Sequence, residues 1–182
     1  MYEYIIKEKL KKYYKNYSRE KCFLNLKDIR TALILFNTSD FEEVNTFINK
    51  LKKLGKKVTV YAYKGKKDER DYSKTPYRII TAKETGNLFD NKMNEIVKEL
   101  DKKKFDAVID LTVRRNISLE YLLAHSKASI KAGLKKNDFP QYDLSITALP
   151  DAETENLKVR ELGKQIVYYL HTIRTNKTNS KE

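Results

Sequence analysis

Cysteine occurs once, histidine twice and glycine five times in these 182 residues. The lone Cys22 excludes an internal disulfide and any metal site built on several cysteines. So few glycines leave little material for a phosphate cradle of backbone amides. There is no GxxxxGKS/T motif. The first apolar run ends in Asn37-Thr38-Ser39-Asp40-Phe41, not in a GxGxxG fingerprint. His125 and His171 stand far apart, and neither has a ligand-type partner at i+4, so no metal and no cofactor are expected. Ser39 with either histidine forms no nucleophile elbow. No apolar run approaches the ~20 residues that cross a bilayer. The opening Met1-Tyr2-Glu3-Tyr4-Ile5-Ile6 lacks a signal peptide's basic start and cleavage site. The expectation is a cytoplasmic protein with no integral membrane association.

Positive charge is what the chain has in excess. Charged residues make up 35% of it and the net charge is +13. The isoelectric point is near 9.5 and the mean hydropathy is −0.70. Such a surface favours anionic partners, RNA or a ribonucleoprotein above all. Composition bias toward Lys, Asn, Ile and Tyr competes as the plainer explanation.

The order of segments predicts the fold class. Tyr2, Ile6, Leu10, Tyr13 and Tyr17 recur at helical spacing with lysines between them, which makes a basic amphipathic helix from Tyr2 to Tyr17; with its connection it fills residues 1–28. Its stripe docks on its own domain or serves a protein partner. An α/β body then fills residues 29–174, and a polar tail covers 175–182. Short apolar runs read as strands at 31–36, 58–63, 77–81, 106–111, 129–132 and 143–147. Helical patterns lie between them: one from Phe41 to a stop at Gly55, one from Leu88 to Leu100, one from Ser118 to His125, and a last one that buries Leu157, Leu162 and Ile166. Asn37-Thr38-Ser39-Asp40 reads as a turn that caps the helix after the first strand. The alternation predicts a three-layer, Rossmann-like α/β fold. Its mostly parallel six-stranded sheet carries helices on both faces and an appended amino-terminal helix. The basic segment Lys64–Pro76 is the one long insertion and the expected mobile loop.

Ligands of open α/β sheets bind at the carboxyl ends of the strands. The residues expected there are Asn37, Thr38 and Ser39 after the first strand, and Lys64, Lys66 and Lys67 after the second. Arg114 and Arg115 follow the fourth, and Lys135 and Lys136 the fifth. Arginine suits bidentate phosphate contacts better than lysine does. Asp110, among apolar neighbours, needs a donor such as Thr112, and Asp106 is expected to cap the start of a strand.

The stretch Phe105-Asp106-Ala107-Val108-Ile109-Asp110-Leu111, the leucines of Leu119–Leu123, Ser126-Lys127-Ala128 and Ile130-Lys131-Ala132-Gly133 resemble the amino-terminal domain of heptosyltransferase-type glycosyltransferases. The likeness covers roughly residues 105–134. The whole chain also resembles a family of short uncharacterised proteins from Bacteroidetes. The first resemblance implies a Rossmann-like fold and a catalytic aspartate after the first strand, near Asp40. Here Ser39 replaces the glycine that precedes that aspartate. Those enzymes also hold the nucleotide-sugar on a second domain, for which this sequence shows no counterpart. Non-catalytic binding of a polyanion is therefore the leading expectation. A small glycosyltransferase-like enzyme or sugar-phosphate binder is the alternative, with Asp40 as its catalytic residue. A structural subunit docking through the first helix is the third reading.

Overall fold

The computed structural model describes residues 2–16, 19, 21–85, 91–136, 140–147 and 158–174. Helix α1 (Tyr2–Asn16) leads to β1 (Thr31–Asn37), a 3-10 turn (Thr38–Asp40) and α2 (Phe41–Lys53). Strands β2 (Lys57–Lys64) and β3 (Arg78–Thr81) precede α3 (Asn91–Asp101). Then come β4 (Lys104–Asp110), α4 (Ile117–His125), β5 (Lys127–Leu134), β6 (Leu144–Ile146) and α5 (Val159–Thr172).

The six strands form one sheet in the order β3-β2-β1-β4-β5-β6. Every pairing is parallel, so the sheet is wholly rather than mostly parallel. Parallel strands buried on both faces need continuous apolar runs, and Ala32 to Phe36 and Ala107 to Ile109 supply them. Alternate residues of each strand feed two cores. Ile34, Phe36, Ile109 and Ile130 meet Val44 and Ile48 of α2 and Leu162 and Ile166 of α5. Leu33, Leu35, Tyr61 and Val108 face Met93 and Ile96 of α3, Leu119 and Leu122 of α4, and Leu10 of α1.

The local chemistry of the element ends matches the sequence in most places. Helix α2 stops at Gly55, whose φ of 74° lies in the left-handed region. Its N–H and that of Lys56 bond to Lys52 and Leu51, a Schellman ending that satisfies the last carbonyls. Asp106 accepts hydrogen bonds from the N–H groups of Arg30 and Thr31 and so caps the start of β1 across the sheet. Helix α1 lies on α4. Leu10 is 1% exposed, and Tyr13 stacks against His125 at 4.5 Å. The side chains of Tyr2, Ile6 and Tyr17 lie outside the described residues, as do Leu88, Leu157 and the tail 175–182.

Two expectations change. Strand β5 runs from Lys127 to Leu134, longer than the expected 129–132, and so takes in Gly133. The Tyr142 ring packs where a side chain of residue 133 would stand. Asp40 precedes α2, but its side chain makes no capping hydrogen bond. In the loop after β2, Asp68 accepts hydrogen bonds from Thr38 Oγ1 at 2.5 Å and Tyr72 Oη at 2.7 Å.

Candidate ligand cleft at the strand switch point

From β1 the chain moves outward to β2 and β3, then returns to place β4 on the other side of β1. The loops after β1 and β4 therefore diverge to opposite faces, and a crevice opens at their carboxyl ends. A cleft of about 650 Å³ lies there, within the size range of small-molecule sites. Its floor is Asn37, Thr38 and Ser39 at the end of β1, with Tyr63 beside them on β2. One wall is the β2–β3 loop, through Gly65, Lys67, Asp68, Glu69 and Arg70. Arg114, after β4, forms the other.

The floor and walls are built by hydrogen bonds between loops. Asn116 Oδ1 accepts from the N–H groups of Ser118 and Leu119 and caps α4. Its Nδ2 donates to Asn37 Oδ1 at 2.8 Å and joins the loops after β4 and β1. On the other wall, Arg70 donates through Nε to Asp68 Oδ1 and through Nη2 to Asp68 Oδ2, at 3.0 and 2.9 Å. Arg70 Nη2 also reaches the carbonyl of Thr38 at 2.6 Å. These donors, Arg70 first and then Thr38 and Tyr72, hold the Asp68 carboxyl well below the usual carboxylate range, against the opposing effect of burial. The Arg70 guanidinium is raised in turn by Asp68.

Asp40 behaves in the opposite way. Burial pushes its carboxyl up and Glu43 adds to the rise, while a hydrogen bond from Ser39 and the charge of Arg114 oppose it. Ser39 Oγ donates to Asp40 Oδ2 at 3.1 Å.

The structure brings together Asn37, Thr38, Ser39, Lys67 and Arg114 of the residues expected from sequence. It commits others elsewhere. Arg115 donates to the buried Glu120 carboxylate at 3.0 Å and is held in that pair, unlike its neighbour. Lys136, with a side chain 6% exposed, donates to Asp110 at 3.0 Å and to Thr112 Oγ1, and so belongs to a buried network and not to a surface site. Thr112 and Tyr142 also donate to Asp110, which saturates the carboxylate, so the donor expected of Thr112 is present. Lys64 turns away to the carbonyl of Arg70 at 2.6 Å and lies over the Tyr72 ring. It lines a second hollow of about 360 Å³ beside β3. Lys66 and Lys135 are exposed and outside the cleft lining. Sequence reasoning missed Tyr63, Gly65, Asp68, Glu69 and Arg70. The one local signal was the spacing of Asp68, Arg70 and Tyr72 within an otherwise basic loop.

Among the described residues, no group of three or more His, Cys, Asp or Glu is placed to hold a metal ion. Among them too, no helix is long and apolar enough to cross a membrane.

A family model described as a family of unknown function, DUF6913, matches residues 2–173. No curated protein matches the sequence. Among solved structures, the fold is similar to the crystal structure of a glycosyl transferase family 9 protein from Veillonella parvula DSM 2008. The identity is 16% and the TM-score 0.48, and the likeness covers 85% of this chain and 43% of that one. The chain thus spans less than half the length of that protein. A likeness at this level carries no argument about activity.

Proposed function

The chain belongs to this family of unknown function, DUF6913, and we propose that it binds an anionic, phosphate-bearing ligand in the cleft at the switch point. The observation that carries the reading is the pair of exposed cations, Arg114 and Lys67, on opposite walls of one cleft. Neither makes an ion pair among the described residues, whereas Arg70 beside them is already neutralised by Asp68. Two positive charges without an ion-pair partner among the described residues, over a polar floor, attract an anion, and an arginine adds fixed donor geometry. The reading is of binding without turnover.

The expectation of a polyanion such as RNA is the broader form of the same chemistry and rests on the net charge of +13. The transferase-like alternative rests on Asp40, whose carboxyl is raised by burial while Arg114 acts on it. Titration of the protein with inorganic phosphate and with total RNA at two salt concentrations tests the proposal. Phosphate binding should weaken at least several-fold in Arg114→Ala. Equal weakening by alanines at Lys102, Lys103 and Lys104, on the opposite edge of the sheet, would leave only diffuse charge. RNA retention that vanishes with salt and ignores Arg114 would point the same way.

A further inference from the structure

We infer that the outer edge of β3 is a self-association surface, which the chain keeps closed with the Arg78–Glu84 ion pair. β3 stands at one edge of the sheet, and β2 is its only strand neighbour among the described residues. Edge strands present unpaired N–H and C=O groups, a template for pairing with another chain. Arg78, Ile79 and Thr81 of this strand are only half-buried. All three border a hollow of about 360 Å³.

Backbone groups of alternate residues along a strand point to opposite sides. Ile79 and Thr81 are the residues of β3 whose backbone faces away from β2, because their polar atoms are bonded elsewhere. Arg78 Nη1 donates to the carbonyl of Ile79 at 3.0 Å. The N–H of Thr81 donates to Glu84 Oε2 at 2.8 Å. The Thr81 carbonyl accepts from the N–H groups of Glu84 and Thr85 in the turn that follows. Both outward carbonyls and the Thr81 N–H are thus satisfied within the chain. Arg78 Nη2 and Glu84 Oε1 stand 2.9 Å apart, so the side chain over the acceptor and the side chain over the donor lock each other in place. Opening that pair frees an outward acceptor at Ile79 and an outward donor at Thr81. An edge that offers both is complementary to itself. The occupant it fits is a second copy of this chain, with β3 against β3 in antiparallel pairing about a twofold axis.

Sedimentation and amide exchange by NMR on the full chain, each at low and high protein concentration, test the inference. The wild-type Thr81 amide should be equally protected at both concentrations. In Glu84→Ala that amide should exchange roughly tenfold faster in dilute solution, because its charged acceptor is gone. It should regain protection as the protein is concentrated and sediments as a dimer. Arg78→Met, which frees the Ile79 carbonyl and unlocks Glu84, should also dimerise, and it decides alone if Glu84→Ala does not fold. The paired changes Glu161→Ala and Lys164→Ala remove an exposed ion pair from α5 and should leave sedimentation as in the wild type. A folded Glu84→Ala or Arg78→Met that stays monomeric at every concentration overturns the inference. So does association that leaves the Thr81 amide of Glu84→Ala unprotected, or a wild type whose Thr81 protection rises with concentration.

Discussion

Asn116 Nδ2 donates to Asn37 Oδ1 at 2.8 Å, across a sequence separation of 79 residues, and closes the floor of the cleft between β1 and β4. The same Asn116 caps α4 with its other amide atom. Asn116→Ala should therefore destabilise the fold by about 1 kcal/mol through the lost cap and also weaken anion binding. Asn116→Ser keeps a capping oxygen but is too short to bridge to Asn37. Denaturant unfolding should show near-wild-type stability for the serine variant, while its phosphate titration should resemble that of alanine.

A side chain at position 133 has no room. A Cβ there would stand 2.4 Å from Cε1 and 2.7 Å from Cζ of Tyr142. The Tyr142 hydroxyl donates to the buried Asp110 at 2.5 Å, so moving the ring also disturbs that network. Gly133→Ala should cost about 1–3 kcal/mol in unfolding free energy. Combined with Tyr142→Ala, the two changes should cost clearly less than their sum, because removing the ring removes the clash.

Asp68 gives the loop after β2 a pH signature. Its carboxyl is depressed below the unfolded value of about 3.9 by Arg70, Thr38 and Tyr72. The folded state therefore favours the ionised form. The stability this contributes is complete above the unfolded pKa and is lost as pH falls below it. Asp68→Asn should be less stable than the wild type near neutral pH, and the gap should begin to narrow as pH falls below about 4 and close only as pH falls through the depressed folded value. A gap that does not narrow at all between pH 5 and about pH 2 would show that the loop is held by other contacts.

Leu10 tests how the first helix is used. It is 1% exposed against the core of α3 and α4. Leu10→Ala should cost about 2–5 kcal/mol by thermal or denaturant unfolding. An unchanged stability would mean that the helix serves a partner and not its own domain.

Much of the architecture is written in local sequence. Apolar runs of five or six residues between amphipathic helical patterns specify βαβ units. Gly55 marks the end of α2 because its residue type tolerates the left-handed turn found there. Asp110 was legible as a group in need of a donor and Asp106 as a strand cap, and the first accepts from Thr112 while the second accepts from the N–H of Thr31. Periodicity and capping act over a few residues, so a short window contains them.

The candidate cleft was legible in position but not in composition. Arg114 and Arg115 are neighbours with the same local signal, yet Glu120 claims one and leaves the other on the cleft wall. Lys136 looked like a surface cation until Asp110, 26 residues earlier, took it into the interior. Asp68 and Arg70 became a wall, with Tyr72 behind them, only by meeting Thr38 across 30 to 34 residues. Sequence alone determined the alternation of strands and helices, the sign of the charge and the edge at which ligands are expected. Tertiary structure decided which charges are spent on each other and which remain free. The reason is physical: ion pairing depends on distances of a few ångströms through space, and chain closure over tens of residues sets those distances.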